Sequence, residues 1–201
     1  MIAGDSPLIA PIVEGKGEQD AIGVLLRTIA GQQGGYLRVA QPFRLDSAKM
    51  RKPEELARAV RVQAARVSGA GGVLIIRDGD DKDVACVVEL AAELAEVRAV
   101  TTVPVEVVIA VPEFEAWILA SIDSMRAHRA VRDDAGPVLD PEARRDAKGR
   151  LQEQLCEPYR ETIHQAQFAA TIDVGLAQER SRSFLRLVRA VATLTTPPDV
   201  D

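Results

Sequence analysis

The chain has 201 residues, 47% of them hydrophobic, which is enough for one domain of ordinary size with its own core and requires no second full domain. Cys86 and Cys156 form no CxxC pair and stand far from His128 and His164, which argues against both a zinc site and a disulfide framework. The net charge of −5 counts against general attraction to nucleic acid; no stretch approaches the ~20 apolar residues of a membrane span, and the opening MIAGDSPLIAPIVEG has no basic leader segment, so a reducing cytoplasmic setting is expected.

Short apolar runs alternate with helical patterns along the chain. LIAPIV at 8–13 predicts a buried strand, and Ala21, Ile22, Leu25, Leu26 and Ile29 recur at helical spacing over about 18–30. Gly34 and Gly35 break the chain before a second strand at 36–40; Pro53 then sits at a first-turn position of a helix running to about 67. Residues 73–76 form a third strand, apolar on both faces as a central parallel strand should be, followed by a helix over about 84–97. A fourth strand at 103–111 leads into a helix at 113–121. Four such pairs in strict alternation predict an α/β fold with a four-stranded parallel sheet flanked by helices, over 1–126. From 127 to 201 the pattern changes to a polar connection and helical stretches at 141–155 and 182–194, read as a helical C-terminal extension packed on the same domain.

Charge is unevenly spread. Between Arg38 and Arg66 stand eight basic residues (Arg38, Arg44, Lys49, Arg51, Lys52, Arg58, Arg61, Arg66) against three acidic ones (Asp46, Glu54, Glu55). Arg180, Arg182, Arg186 and Arg189 make a second basic group. Solvated helix faces account for many of these residues, yet local basic surfaces are what a phosphate-bearing partner needs, and Lys49, Arg51 and Lys52 are the nucleic-acid-contacting candidates.

In open α/β sheets, ligands bind outside the carboxyl ends of the strands, and here the residues just past the strands are acidic. Glu14-Gly15-Lys16-Gly17-Glu18 follows the first strand, Asp78-Gly79-Asp80-Asp81 the third, and Glu113-Phe114-Glu115 the fourth. Like charges converging on one edge repel unless a cation neutralises them, and oxygen-only ligands favour Mg²⁺ or Mn²⁺ over zinc. Asp78 and Asp80, two apart in an extended segment, project to the same side; Glu18 can face back toward Glu14 across a strand-to-helix turn that Gly15 and Gly17 keep tight. The metal-ligating set is therefore Glu14, Asp78 and Asp80, with Glu18 joining them as a catalytic carboxylate. Asp81, Glu113 and Lys16 are secondary candidates. Glu-Gly and Asp-Gly turns also arise for purely structural reasons, and Glu113-Phe114-Glu115-Ala116-Trp117 reads equally as an amphipathic helix start anchored by Phe114 and Trp117. Neither a P-loop nor a dinucleotide fingerprint is present: Glu18 follows Gly17 where Ser or Thr would follow a Gly-Lys pair, and Asp20 stands where a third glycine would.

At these residues the sequence resembles a Toprim domain over about 8–120. That family's glutamate after the first strand is matched by Glu14 and its Asp-x-Asp by Asp78 and Asp80; the Glu-Gly-x-x-Glu of OLD-type nucleases is matched by Glu14, Gly15 and Glu18. The runs VEGKGEQDAI, VAQPFRL, DGDD, FEAWILAS, DAKGRL and RSRSFLRLV resemble a bacterial Toprim-like family over nearly the whole chain. Lys82 departs from the pattern, standing where Toprim domains often carry a further acid. The resemblance implies Mg²⁺-dependent chemistry at nucleic-acid phosphodiesters. Two other functions fit the residues: a receiver-like domain in which Asp78 accepts a phosphoryl group, and a catalytically silent module that binds nucleic acid or a partner ATPase. Against the receiver-like function, the fourth strand ends Ile109-Ala110-Val111-Pro112-Glu113 with no Ser or Thr to read the phosphoryl group.

Overall fold

Apolar side chains on both faces of a strand demand cover on both faces, and the structure, a computed structural model describing residues 6–80, 86–143 and 146–196, supplies it. Strands β1 (Leu8–Val13), β2 (Arg38–Val39), β3 (Phe43–Arg44), β4 (Gly71–Asp78) and β5 (Val105–Ala110) form one parallel sheet. Its order is β2-β1-β4-β5, with β3 also pairing β1. The α/β class and the parallel sheet are as the sequence predicts. The sheet has five strands rather than four because the expected second strand gives way to two short ones.

Val39 pairs with Ile9 and Phe43 with Ile12, and the segment between them contains Pro42, which has no N–H to give the ladder. The fully buried Gln63 fills this gap, its amide donating to the carbonyls of Pro11 and Gln41. Where β1 meets β4 the chains come very close: Gly71 has φ +130°, and any Cβ there would run into the Leu8 backbone.

Two cores flank the sheet. On one face α2 (Ser47–Met50), α3 (Pro53–Ala64) and α4 (Val87–Ala95) pack Met50, Leu56, Val60, Leu90 and Leu94 against Ile12, Val73, Ile75 and Ile109. On the other, α1 (Lys16–Gln32) lies with α5 (Glu115–Leu119), α6 (Ala147–Glu153), α7 (Glu161–Thr171), α8 (Val174–Arg180) and α9 (Arg182–Thr195) over Ile9, Val13, Leu74, Ile76 and Val108. Helix α9 rests directly on β5, β4 and β1, and α7 packs along α1. The C-terminal helices thus complete the layer that α1 and α5 begin. Trp117 is fully buried there, with Phe114 and Phe184 against its ring at centroid distances of 5.3 and 6.0 Å. Its indole N–H donates to Ser183 at 2.8 Å, and Glu142, in the loop before α6, accepts from both Ser181 and Ser183 at the start of α9.

Among the described residues, no helix is long and apolar enough to cross a membrane.

Candidate functional site

Helix α1, which follows β1, lies on one face of the sheet and α4, which follows β4, on the other. The chain thus changes face between two adjacent strands, and the crevice at their carboxyl ends is where such sheets bind ligands. Glu14 and Asp78 occupy that crevice, one at the end of each strand.

Glu18 stands in the first turn of α1, 5% exposed, with Oε2 accepting the N–H groups of Glu14 (3.2 Å) and Gly15 (3.3 Å). This is the side-chain half of a capping box, and it folds the carboxylate back over the β1–α1 turn as the spacing predicts. The two glycines serve other ends than a tight turn. Gly15 is extended (φ −92°, ψ 163°), and Gly17 lies inside the helix, where a Cβ would overlap the Gln165 side chain of α7. Close packing of α7 on α1 is what requires glycine at 17.

Asp78 is half-buried, and its Oδ1 accepts the Phe114 N–H at 2.9 Å, which ties the end of β4 to the turn after β5. One residue earlier, the alternation of β4 turns Arg77 to the α3 face, fully buried, with Nε 3.8 Å from Glu14 Oε2.

The turn after β5 adds a carboxylate that the local spacing does not single out. Glu115 is fully buried, and its Oε1 accepts the Tyr159 hydroxyl (2.8 Å) and the Gln165 amide (3.0 Å), while Oε2 has no hydrogen-bond partner among the described residues. Glu113, also buried, accepts the Lys148 backbone N–H at 2.8 Å. Lys148 Nζ lies 2.9 Å from Glu161 and 3.5 Å from Glu113. The start of α6 is held by Asp146, left-handed at φ 66°, whose carboxylate caps Gly149 N–H at 2.9 Å. The run Asp146-Ala147-Lys148-Gly149 therefore serves to fix Lys148 among acids.

The electrostatics show how crowded this edge is. Burial raises Glu18 to about 7; the N–H groups of Gly15 and Glu14 oppose the rise, and the Glu14 and Glu115 carboxylates add to it. Asp78 is driven well above the ordinary aspartate range by burial, then by Glu18, Glu115 and Glu14, with Lys148 opposing. Glu115 is raised by burial against the pull of Lys148, Tyr159 and Gln165. Burial depresses Lys148, but Glu115, Glu161 and Glu113 outweigh it and hold the ammonium charged. Tyr159 is pushed up by burial and by Glu115, so its hydroxyl remains a donor.

Of the expected site residues, Glu14, Glu18 and Asp78 come together. Asp80 follows Gly79, half-buried, and is not among the charges that act most on Asp78. Lys16 is exposed at the start of α1, and Asp81 lies outside the described residues. Lys49, Arg51 and Lys52 are exposed around α2: Lys49 pairs with Asp46 at 3.2 Å, and Arg51 lines a cavity of about 370 Å³ with Met50, Glu93, Leu94 and Val97. In the second basic group, Arg180 is committed to Asp123 at 2.6 and 3.3 Å. The donors at the carboxyl edge are carboxylate oxygens, with one buried oxygen of Glu115 unclaimed among the described residues, and that chemistry suits a hard divalent cation. As the side chains stand, no three His, Cys, Asp or Glu of the described residues are grouped closely enough to hold a metal.

A family model described as Domain of unknown function (DUF4276) matches residues 13–192, from the last residue of β1 into α9. No curated protein and no solved structure matches. The match takes in strands β2 to β5 and the C-terminal helices that bring Lys148, Tyr159 and Gln165 to the sheet's edge, and the chain belongs to the DUF4276 domain family.

Proposed function

We propose that this protein is a Mg²⁺- or Mn²⁺-dependent phosphodiester hydrolase of Toprim type acting on nucleic acid. The observation that carries the reading is the gathering of Glu14, Glu18, Asp78 and Glu115 at the switch point of a parallel sheet, where their mutual repulsion calls for a cation. The resemblance of Glu14-Gly15-x-x-Glu18 and Asp78-x-Asp80 to the Toprim pattern supports it. Bound there, the metal supplies Lewis-acid polarisation of a phosphoryl oxygen and a water of lowered pKa.

This chain's residues do the rest. Glu14 and Asp78, rooted in adjacent strands, hold the ion, and Asp80 extends from the same segment. Glu18 accepts the proton of the attacking water. Lys148, with its side chain 41% exposed between Glu113 and Glu161, offers a fixed positive charge to the phosphodiester. Lys49, Arg51 and Lys52 provide contacts to more distant phosphates.

The test is Mn²⁺-dependent cleavage of plasmid, linear DNA and RNA by wild type, Glu14→Gln and Asp78→Asn. Cleavage by wild type that is abolished in both folded variants supports the assignment. Cleavage that survives in both comes from a contaminant and defeats it. Asp78-dependent labelling by acetyl phosphate without cleavage transfers the protein to the receiver-like class, and neither activity leaves a binding module.

A further inference from the structure

An edge strand leaves half of its backbone groups without a ladder partner, and proteins cap or blunt such edges. Strand β5 ends the sheet order, so its outer side carries no strand among the described residues. The Val73 N–H donates to the Pro104 carbonyl and the Gly79 N–H to the Ala110 carbonyl, which turns the even-numbered carbonyls of this stretch toward β4 and the odd-numbered ones outward. The two ends of the outer side are capped: Arg98 Nε donates to the Val105 carbonyl at 2.8 Å, and the Val111 N–H donates to Ser183 Oγ at 3.3 Å. Between these caps, the outward N–H and C=O groups of Val107 and Ile109 have no hydrogen-bond partner among the described residues. The strand, VEVVIA, has neither proline nor lysine to blunt the opening.

The two walls beside this opening differ in chemistry. A cavity of about 180 Å³ lies along it, with Val88 and Ala91 of α4 on one face of the sheet, Arg182 and Arg186 of α9 on the other, and Val107 and Ile109 between them. Val88 is 58% exposed. Arg182 and Arg186 are exposed and make no ion pair among the described residues. Glu142 also lines the cavity, but its Oε1 is taken by the Ser181 hydroxyl and by the Ser183 hydroxyl and N–H, so the arginine charge is in excess. A strand entering the gap presents alternate side chains to the two faces. Those toward α4 meet valine and alanine, and those toward α9 meet arginine. A second copy laid antiparallel on β5 fits less well: it would gather the arginines of both chains on one side of the joint sheet, and Glu106, the one acid of β5, is already paired with Arg98 at 3.2 Å.

We propose that the outer edge of β5 is a docking slot for an extended segment of a partner polypeptide, which adds to the sheet as a further strand and carries acidic side chains toward α9 alternating with apolar ones toward α4. Main-chain pairing with Val107 and Ile109 holds the segment, the alternation selects it, and the caps at Val105 and Val111 keep it short. The slot is independent of the chemistry at the carboxyl edge.

The experiment is selection from a phage-displayed library of random peptides of about eight residues, within the usual length of a strand, on the purified full chain. The strongest binder is synthesised and titrated by fluorescence anisotropy. Enriched sequences should alternate Asp or Glu with apolar residues, and the peptide should bind Arg182→Glu/Arg186→Glu about tenfold or more weakly than wild type. Val107→Pro removes one outward N–H and should weaken binding as well; each variant is checked for folding by its thermal melt. Two further forms of the peptide, N-methylated at odd or at even positions, test the pairing without altering the protein. Only one set of its N–H groups faces β5, so one form should lose binding and the other keep it. Absence of enrichment overturns the proposal, as do enriched sequences without the acidic alternation or an affinity unchanged in the double-arginine variant. Equal effects of the two methylation patterns overturn strand addition. A dimer of the full chain in sedimentation equilibrium that Val107→Pro dissociates assigns the edge to a second copy and likewise overturns it.

Discussion

Two aspartates of this protein have opposite surroundings. Asp123, just beyond α5, receives a two-pronged contact from Arg180 at 2.6 and 3.3 Å, and that partner holds its carboxyl below the usual range. Asp78, at the end of β4, faces Glu18, Glu115 and Glu14 and is held well above it. The first region is complete as folded: each charge has its counter-charge, and the pair fastens α8 to the helical layer. The second carries more negative charge than Lys148 and Arg77 offset locally. A balanced pair serves the fold, whereas an unbalanced cluster at a sheet's carboxyl edge carries repulsion that a bound cation would relieve.

The comparison breaks most visibly on adding metal. Mg²⁺ at a hundredfold excess over its dissociation constant should stabilise the wild type by about 2.7 kcal/mol. Arg180→Ala, remote from the edge, should show the same increment, and Asp78→Asn none. An equal rise in melting temperature for Asp78→Asn would show that the ion binds elsewhere.

Next in size is the loss of the balanced pair. Arg180→Ala should cost about 1–2 kcal/mol, because Asp123 is left partly buried without its donor. The two regions should also answer pH with opposite sign. Asp123, lowered from 3.8, contributes stability that is present above that value and is lost as pH falls through its folded value, so the Arg180→Ala penalty should vanish in strong acid. Glu18, raised from 4.5 to about 7, contributes stability that is present below 4.5 and is lost as pH climbs through 7. Denaturant melts of the metal-free protein between about pH 5 and 8 should therefore show stability falling with pH, and Glu18→Gln should flatten that slope. A metal-free protein that gains stability across this range would contradict the crowding of the edge.

The smallest effect belongs to the basic face. Replacing Lys49, Arg51 and Lys52 together by Ala should change stability by only about 0.5 kcal/mol per site or less. It should flatten the salt dependence of nucleic-acid binding by about 0.9 for each phosphate that is no longer neutralised. An unchanged salt slope in a filter-binding titration removes this surface from the interface.

The placing of Glu14 and Asp78 at the carboxyl edge was legible because each ends an apolar run, and open parallel sheets bind ligands past those ends. Gly17 was legible as a special residue but for the wrong reason, since its purpose is contact with Gln165 from a distant helix. Glu115 was hidden by its neighbours: Phe114 and Trp117 are core anchors, as expected, and the acid between them is buried as well. Helix α7 went unread because polar His164 and Gln165 share its buried face with Phe168 and Ala169, which spoils the apolar period. Lys148 and Tyr159 reach the edge through tertiary packing alone, and no local spacing announces that. The split of the second strand depends on Gln63 donating into the gap beside Pro42, again a long-range contact.

The contact between Gly17 and Gln165 also sets an order of events. The motif-bearing strands leave the ribosome before the residues that brace the carboxyl edge and the helix that shields β1, β4 and β5. Until they emerge, β4 and β5 lack the cover of α9, α1 lacks its contact with α7, and Oε1 of Glu115 has neither of its donors. Assembly must therefore wait on contacts between segments far apart in the chain, the slow kind of folding, and the carboxylate edge is finished only after those segments have been made.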